Sequence, residues 1–306
     1  MGVPILTDTE LSQNLATATA LAIEAVRDAF AARASGHLQA PPRWSLDVGP
    51  GRLVFTVGAE THISRAAGFR VYDVFPNQGG HNAQLVGVFD SEDGQLRGIL
   101  IGNLVGVLRT AAIDAVAIDE LARPDAAILG LIGTGLQARH HLLAAAAVRP
   151  FSRVFVYSRD QERRLRFAAE MTSEARLDVI AVDEPEEAVR QADVVILATN
   201  SRTPVVDTSG FRPGKHITTI GPKFVDAHEL SPSIADVASV VVTDSLPQVE
   251  AYERPFFLDA PMVELADVVA GHQPGRTDPD QVTLFCSVGL AGTEVVVADR
   301  LLHNLA

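Results

Sequence analysis

A glycine-rich loop between an apolar strand and a helix is the most informative chemical feature of the sequence. Residues 130–143 read GLIGTGLQARHHLL and contain the pattern GxGxxG/A, with alanine in the last place. The first glycine permits a tight turn, the second lets the backbone approach a pyrophosphate, and the alanine lets helix and strand pack closely. The free N–H groups at the helix start attract phosphate. The alternative is a tight turn that binds nothing. The residues predicted to bind a dinucleotide are Gly133, Thr134, Gly135, Leu136, Gln137 and Ala138.

The end of the next strand carries the residues that distinguish the two nicotinamide cofactors. NAD sites usually place an acidic residue here, about 20 residues after the glycines, to hold the ribose hydroxyls. This sequence reads RVFVYSRD, so Ser158 and Arg159 occupy the strand end. A hydroxyl and a guanidinium suit a 2′-phosphate, which favours NADP(H) over NAD(H). Asp160 leaves NAD(H) as the alternative, and Arg159 as a solvated residue at a helix start is a further one.

Composition narrows the classes of protein to which the chain can belong. The 306 residues suffice for two domains, and a formal net charge of −13 argues against a nucleic-acid partner. We expect no membrane partner, because no apolar run reaches about 18 residues and the start lacks a signal-peptide pattern. The single cysteine, Cys286, fits a reducing cytoplasm. The nine histidines show no metal-binding spacing, so we expect no metal.

The N-terminal third predicts one helix and an antiparallel sheet. Residues 10–35 have apolar side chains at helical spacing, and Gly36 supplies a stop. Residues 52–108 then change to strand-like runs. Asp93 and Gly94 between two of these runs predict a hairpin turn.

From Arg109 onward the pattern changes to alternating helices and strands. An alanine-rich helix follows, with Thr110 as its predicted N-cap, and strands alternate with helices from residue 126. This alternation predicts parallel βαβ units, and therefore an α/β protein with a Rossmann-type doubly wound sheet and a second α+β domain. We expect the dinucleotide-binding domain at 112–283 and the substrate and dimerisation domain at 1–111 plus 284–306.

Several further segments carry a family resemblance. LRTAAIDAVAIDELARPDA leads directly into GLIGTGLQA, and four more matching segments follow in order. They are TNSRTPVV (199–206), PGKHITTIGPKFVDAHEL (213–230), SVVVTDSLPQ (239–248) and FCSVGLAGTE (285–294). Together they resemble the ornithine cyclodeaminase/mu-crystallin family of nicotinamide-dependent enzymes over nearly the whole chain.

This resemblance implies a fold, a chemistry and an assembly. Family members are usually homodimers formed through the non-Rossmann domain, and their substrates are amino acids or the related imino and oxo acids. The nicotinamide exchanges hydride with the substrate's alpha carbon. The resemblance also implies that Thr199, Asn200 and Gly221 contact the cofactor.

Three arginines match or approximate substrate-binding positions of the family. Arg109 in LRTAA corresponds to the arginine that grips the substrate carboxylate, and a guanidinium pairs with a carboxylate in bidentate geometry. Arg43 falls where the family has another pocket arginine, with a surface loop position as the alternative. Arg70 stands where many members have lysine; it keeps the charge but cannot readily lose a proton.

Lys223 is a departure from the cyclodeaminase pattern. Cyclodeaminases carry an aspartate here that binds the substrate amine, and a cation cannot do so in the same way, which argues against an ornithine cyclodeaminase. Lys223 and Lys215 are the only lysines in the sequence. Among arginines and away from water, Lys223 would have a lowered pKa and would donate a proton or hold a second carboxylate. The alternative is a lysine that points to solvent or pairs with Asp226 or Glu229.

Glu294 replaces the aspartate of many family members near the start of the last helix. It is predicted either to contact substrate or nicotinamide or to favour the helix N-terminus electrostatically. His228, next to Glu229, is interpreted as polarity at a helix start rather than as a catalytic base.

These observations predict an NAD(P)H-dependent oxidoreductase that acts on the C–N bond of an amino or imino acid. Arg70 and Arg109 would bind the carboxylate, and Lys223 would supply the proton. The basic residues exceed what one carboxylate needs, which suggests a substrate with a second acidic group. The rivals are a 2-oxo acid reductase and a nicotinamide-binding protein without turnover.

Overall fold

The computed structural model describes residues 2–76, 84–255 and 260–306, and the chain divides into two compact units. The first unit contains Met1–Ala112 and Gly289–Ala306, and the second contains Ile113–Val288. The first boundary falls within one helix, α3 (Leu104–Leu121).

The first unit contains a seven-stranded sheet of order β1-β7-β6-β5-β4-β2, with β3 paired to β4. All its pairings are antiparallel except β1 with β7, and the β6–β7 hairpin turns through Gly94 at a φ of 73°, which confirms the predicted turn. Its strands are β1 (Ile5–Thr7), β2 (Leu38–Gln39), β3 (Trp44–Asp47), β4 (Arg52–Glu60), β5 (Ala66–Val74), β6 (Gln84–Asp90) and β7 (Leu96–Ile101).

A C-terminal helix packs directly on this sheet. Helix α9 (Thr293–Leu305) contacts β4, β5, β6 and β7. Glycines make the close approach possible: a Cβ on Gly58 would lie 2.3 Å from the Gly292 Cα, and one on Gly98 would lie 2.6 Å from a Leu302 methyl. Because no side chain separates sheet and helix there, the start of α9 lies close to the backbone of β4.

The predicted helix 10–35 is divided into two helices. They are α1 (Asp8–Gln13) and α2 (Leu15–Ala34), and Gly36 ends α2 at a φ of 79°, as predicted.

The predicted N-cap of the next helix is wrong. Helix α3 begins at Leu104, and Thr110 lies inside it with its hydroxyl donating to the Gly106 carbonyl. The Asp8 carboxylate caps α3, because it accepts from the N–H groups of Asn103 and Leu104 at 2.9 Å each. A cap supplied from a residue almost a hundred positions earlier leaves no local signal.

The second unit is a parallel sheet of order β10-β9-β8-β11-β12-β17-β15-β16. Its strands are β8 (Ile128–Ile132), β9 (Arg153–Tyr157), β10 (Asp178–Ala181), β11 (Val194–Leu197), β12 (His216–Thr219), β15 (Val240–Thr243), β16 (Met262–Glu264) and β17 (Thr283–Cys286). A separate hairpin is formed by β13 (Lys223–Phe224) and β14 (Ala227–His228). The remaining helices are α4 (Leu136–Val148), α5 (Gln161–Ala175), α6 (Pro185–Gln191), α7 (Leu246–Glu250) and α8 (Leu265–Val269), with short 3-10 turns at Thr208–Gly210 and Pro232–Asp236.

This strand order confirms the predicted fold class of an α/β protein with a doubly wound sheet. The chain runs outward through β8, β9 and β10, then returns to the other side of β8 with β11 and β12, which is the switch point of a Rossmann sheet. Ligands of such sheets bind beyond the carboxyl ends of the strands at this point. Strand β17 belongs to this sheet, so the chain leaves the second unit after Val288 rather than at residue 284.

The two lysines are both buried, and Lys215 has a structural position. Its ammonium donates to the carbonyls of Val189 at 2.8 Å and Ala192 at the end of α6. The free carbonyls of a helix end attract cations, so Lys215 stabilises this terminus. Burial lowers the pKa of Lys215 to about 8.

A buried carboxyl group lies on α3 within the second unit. Asp114 has no exposed surface, and neither carboxylate oxygen has a hydrogen-bond partner among the described residues. Burial raises the pKa of Asp114 to about 7, an effect that the nearby Thr218 hydroxyl only partly offsets. The folded chain therefore holds a proton that the unfolded chain releases at lower pH.

Substitution of Asp114 by asparagine is expected to change how stability depends on pH. Because the folded pKa is raised, stability that is present below about pH 4 is lost as the pH rises to about 7. Asp114→Asn removes this loss, so from pH 5 to pH 8 the variant should gain roughly 3 kcal/mol over the unsubstituted protein. Urea unfolding at both pH values measures the difference. An equal effect of Asp236→Asn, an exposed aspartate of the same unit, would contradict the assignment to burial.

Candidate functional site

The glycine loop follows the first strand of the parallel sheet, where a Rossmann protein binds phosphate. Gly133 directly follows β8 at a φ of 123°, and its N–H donates to the Tyr157 carbonyl at 2.8 Å. A Cβ at this position would lie 2.3 Å from the Ala198 carbonyl oxygen. Gly133 is therefore required by the turn and by the adjoining backbone.

The second glycine has a different environment. Gly135 is exposed and has a φ of −89°, and a Cβ added to it would meet nothing within 4 Å. It is the N-cap residue of α4, and the N–H groups at the start of this helix receive no side-chain cap. Ala138 is fully buried in the core, where its small side chain lets α4 pack on the sheet. The folded chain has no need of glycine at 135, whereas a phosphate against the backbone would need it, so the loop fits a dinucleotide.

The end of β9 presents a polar, basic surface. Ser158 is half-buried and Arg159 is exposed. Asp160 is the N-cap of α5: one carboxylate oxygen accepts from the Arg163 N–H at 3.1 Å, and the other lies 3.2 Å from the Arg163 side chain. Both oxygens of the Asp160 carboxylate therefore interact with the first turn of its own helix.

The loops after β11 and β12 are joined by a buried carboxylate that sequence reasoning missed. Glu229 has no exposed surface and accepts hydrogen bonds from Thr199, Thr219 and Gly221. Thr199 and Gly221 are two of the three cofactor positions predicted here; Asn200, the third, is exposed. The sequence showed Glu229 beside His228 and suggested a helix start. His228 instead lies on β14, opposite Lys223 in the hairpin.

Lys223 is buried, with 5% of its surface exposed, which excludes the alternative of a side chain that points to solvent. Its ammonium donates to the Gly221 carbonyl at 2.9 Å. It also lies close enough to the buried Cys286 thiol to affect it: burial raises the thiol pKa to about 11, and the Lys223 charge partly offsets this. The second unit thus holds an ammonium group at the carboxyl edge of β12.

The first unit holds a buried ion cluster around Arg109 and Glu294. Arg109 is 4% exposed and Glu294 is fully buried, with 3.8 Å between the arginine Nε and a carboxylate oxygen. The Thr56 hydroxyl donates to the other oxygen. Burial alone would raise the pKa of Glu294, but the charges of Arg109 and Arg70 outweigh it and lower the pKa. Glu294 is therefore an ionised partner of Arg109 inside the unit.

Arg70 and Arg43 extend this cluster. Arg70 is 8% exposed, donates to Gln84 Oε1 at 2.7 and 3.0 Å, and lies 4.4 Å from the Tyr72 ring centroid. Burial and the charge of Arg109 lower the pKa of Arg70 to about 10, with a smaller contribution from Arg43. At neutral pH Arg70 remains a cation, as expected from its chemistry.

Among the described residues, the buried part of the cluster contains the guanidinium groups of Arg70 and Arg109 and the single carboxylate of Glu294, so it holds excess positive charge. Arg109 Nε has no hydrogen-bond partner among the described residues. That atom faces Glu294 at 3.8 Å, so it is the charge that favours a ligand: buried positive charge in excess of the negative charge around it costs free energy unless an anion balances it. The geometry therefore suits a carboxylate ligand, which a guanidinium binds through paired hydrogen bonds.

Residues 2–76, 84–255 and 260–306 contain neither a metal-binding cluster nor a membrane-spanning helix. In these ranges, no group of three or more histidine, cysteine, aspartate or glutamate side chains is placed to hold a metal ion. Within the same ranges, no helix combines the length and the apolar character that crossing a membrane requires.

Fold and site together define a dinucleotide-binding α/β protein that also has a buried cluster of arginines and one glutamate. The family model described as "Ornithine cyclodeaminase/mu-crystallin family" matches residues 5–306, so the chain belongs to this family.

Known proteins of similar sequence and structure include imino acid reductases. A Delta(1)-pyrroline-2-carboxylate reductase of Bacillus cereus is 34% identical over 227 residues, which cover 71% of this chain and 69% of that protein. The Thermococcus litoralis Delta(1)-pyrroline-2-carboxylate reductase, in complex with NADH and L-proline, has a TM-score of 0.86 at 28% identity and covers 98% and 96% of the two chains. The iminosuccinate reductase of Paracoccus denitrificans, in complex with NAD+, has a TM-score of 0.87 at 26% identity and covers 98% and 95%.

Gly135→Ala is expected to weaken cofactor binding without lowering the stability of the fold. The added methyl group meets nothing within 4 Å in the folded chain, so the melting temperature should stay unchanged. If a pyrophosphate approaches this backbone, the affinity for the nicotinamide cofactor should fall by at least about tenfold. Fluorescence titration of the cofactor measures it. The matched variant Gly133→Ala should instead lose stability, because its methyl group collides with Ala198. Unchanged affinity in Gly135→Ala would contradict the site.

Proposed function

We propose that this protein is an NAD(P)H-dependent reductase of imino acids, which converts the C=N bond of an α-imino acid to an amine. The observation that carries the proposal is the buried, positively charged Arg70–Arg109–Glu294 cluster in a chain whose other unit is a Rossmann sheet with an open phosphate loop. The relatives named above act on imino acids according to their names, and the two solved structures among them contain NADH or NAD+.

The arginines bind the substrate carboxylate in this proposal. Arg109 is buried beside Glu294, whose carboxylate lies 3.8 Å from the arginine Nε and balances part of the charge. Arg70 is held by Gln84 and by the Tyr72 ring, so its guanidinium is oriented before the substrate arrives. The excess of guanidinium groups over carboxylates favours a substrate with a second acidic group.

Lys223 is the proposed proton donor. When bound, the reduced nicotinamide supplies the hydride, and the substrate nitrogen then needs a proton. A buried ammonium group on a short hairpin, held by the Gly221 carbonyl, is suited to give it. The place of this cation, where cyclodeaminases have an aspartate, also supports reduction over cyclodeamination.

NADP(H) is the proposed preferred cofactor. Ser158 and the exposed Arg159 suit a 2′-phosphate, and Asp160 is engaged by Arg163 and by the start of α5. An aspartate whose two oxygens are occupied is a poor partner for ribose hydroxyls.

A cytoplasmic location is also part of the proposal, because the single buried thiol, Cys286, stays reduced there.

A homodimer formed by the outer face of the seven-stranded sheet is also part of the proposal. Neighbouring strands align apolar side chains on the face opposite α9. One row across the sheet consists of Ile101, Leu85, Val71, Phe55 and Trp44. Trp44 is 54% exposed and Ile101 is 48% exposed. Monomers rarely expose a continuous apolar area of this kind, which favours a second copy as the covering partner.

The first test is oxidation of NADPH and NADH against a panel of 2-oxo acids, each with and without ammonia or methylamine, and against cyclic imino acids. We expect turnover that requires an amine or a preformed imine, is faster with NADPH, and favours substrates with a second carboxylate. Turnover of the oxo acid without an amine would show instead that the protein reduces 2-oxo acids to hydroxy acids. Cofactor binding without turnover on any substrate would contradict an enzymatic role.

Lys223→Met is expected to lower kcat by about a hundredfold or more, the usual contribution of a positioned proton donor. The affinity for NADPH should stay within about twofold, because the proton donor acts after binding. Steady-state kinetics and cofactor titration measure the two effects. Lys215→Met is the matched control: it should lower the melting temperature, because Lys215 holds the end of α6, but not the rate per folded molecule. Unchanged turnover and substrate binding in Lys223→Met would contradict the role.

Light scattering after size exclusion tests the dimer. The intact chain is expected at twice its 32.6 kDa mass. Val57→Asp places a charge on the apolar sheet face and should produce monomers. Leu165→Asp, at a residue that is similarly exposed on α5 of the other unit, should leave the dimer intact. A monomeric unsubstituted protein, or equal effects of the two variants, would contradict this interface.

A further inference from the structure

The buried Glu229 carboxylate holds together two loops at the carboxyl edge of the parallel sheet. One oxygen accepts from the Thr199 N–H at 2.9 Å and from the Thr199 hydroxyl at 2.7 Å. The other accepts from the Thr219 hydroxyl at 2.8 Å and from the Gly221 N–H at 2.6 Å. Each oxygen therefore serves one loop: Thr199 follows β11, and Gly221 follows β12.

The two loops pack closely around this carboxylate at Gly221. A Cβ on Gly221 would lie 2.4 Å from the Thr199 carbonyl oxygen and 2.6 Å from the Glu229 carboxyl carbon. The two loops are thus in direct contact, with the carboxylate between them. Hydrogen bonds to an ionised acceptor are roughly twice as strong as neutral ones, so Glu229 fixes both backbones.

The position in the sheet indicates which part of a dinucleotide these loops serve. Strands β8, β9 and β10 form one mononucleotide half, and its β9 end carries the ribose-phosphate determinants Ser158 and Arg159. Strands β11 and β12 lie on the other side of the switch point and form the second half. That half receives the nicotinamide mononucleotide, because the adenosine half is already assigned to β9.

We propose that Glu229 is a positioning residue for the nicotinamide half of the cofactor. It acts through Thr199 and Gly221 and does not touch the ligand. It also acts on Lys223, because the Gly221 carbonyl that receives the Lys223 ammonium belongs to the residue whose N–H Glu229 fixes. The inference rests on the proposed nicotinamide cofactor and adds a residue that neither the glycine fingerprint nor the arginine cluster contains.

Glu229→Gln tests this role because it keeps the shape and removes the charge. An amide has one acceptor end and one donor end, so either the Thr199 N–H or the Gly221 N–H then faces an NH2 group. We expect the affinity for NADPH to fall by about ten- to a hundredfold. The affinity for 2′,5′-ADP, which fills the adenosine half alone, should stay within about twofold. Both dissociation constants are measured by calorimetric titration.

Three variants accompany the main one. Glu229→Asp retains the charge and should restore part of the NADPH affinity. Glu186→Gln, at an exposed glutamate of the same unit, should change neither affinity. If Glu229→Gln does not fold, Thr219→Val decides the question: it removes one hydroxyl donor at constant shape and should weaken NADPH a few fold without weakening 2′,5′-ADP.

The outcomes separate this inference from the proposed function. Selective loss of NADPH affinity supports the positioning role. A parallel loss of both affinities would mean that Glu229 maintains the fold generally, and unchanged affinities would mean that it has no role in binding; either result overturns the inference. Failure of the unsubstituted protein to bind NADPH and NADH would instead overturn the proposed function and the inference with it.

Discussion

The constraint on which the first unit depends is the burial of more positive than negative charge. Arg70 and Arg109 are almost completely enclosed, and the single carboxylate of Glu294 lies 3.8 Å from Arg109. Such an arrangement does not make folding more favourable, because burying apolar residues of equal size would cost less free energy. The proposed carboxylate site accounts for the excess, because the anion of the substrate would balance it. The glycines under α9 allow the Glu294 end of this helix to lie directly against β4.

In the second unit the important groups are the backbone N–H groups that follow the strand ends. Gly135 leaves the start of α4 uncovered, so that a phosphate can approach it. At the neighbouring strand ends the N–H groups of Thr199 and Gly221 are not free but are bound by Glu229. One loop thus leaves room beside its backbone, while the other two are held in shape by a buried carboxylate. Both arrangements use the same property, the affinity of backbone N–H groups for negative charge.

Local patterns were sufficient to predict the fold class and the phosphate loop. Alternating strands and helices, the GxGxxA spacing and the Asp93-Gly94 turn depend on neighbouring residues, and the structure has the elements that they indicate. What the sequence did not reveal depends on distant partners. Asp8 caps α3 across almost a hundred residues, and β17 joins the parallel sheet beside β12, from which it is far away in sequence.

The candidate site shows the same division between local and distant information. Arg109 and the glycines are visible as motifs, and their chemistry follows from residue type. Glu229 is not, because a glutamate after a histidine resembles any polar turn until Thr199, Thr219 and Gly221 are brought around it. Glu294 had two interpretations in the sequence, contact with a ligand or an electrostatic contribution to the helix start; it lies in the first turn of α9, fully buried beside Arg109, and that ion pair between distant residues has no local signal.

The most direct test of the buried arginine cluster as a carboxylate site is a comparison of two ligands of the same shape, one with a carboxylate and one with a neutral amide in its place. Calorimetric titration of the NADPH-loaded protein with a 2-oxo acid and with the amide of that acid would measure it. The account predicts that the acid binds at least about a hundredfold more tightly, or about 2.7 kcal/mol. Equal affinity for the acid and the amide would show that the guanidinium groups do not receive the substrate carboxylate, and would contradict the account.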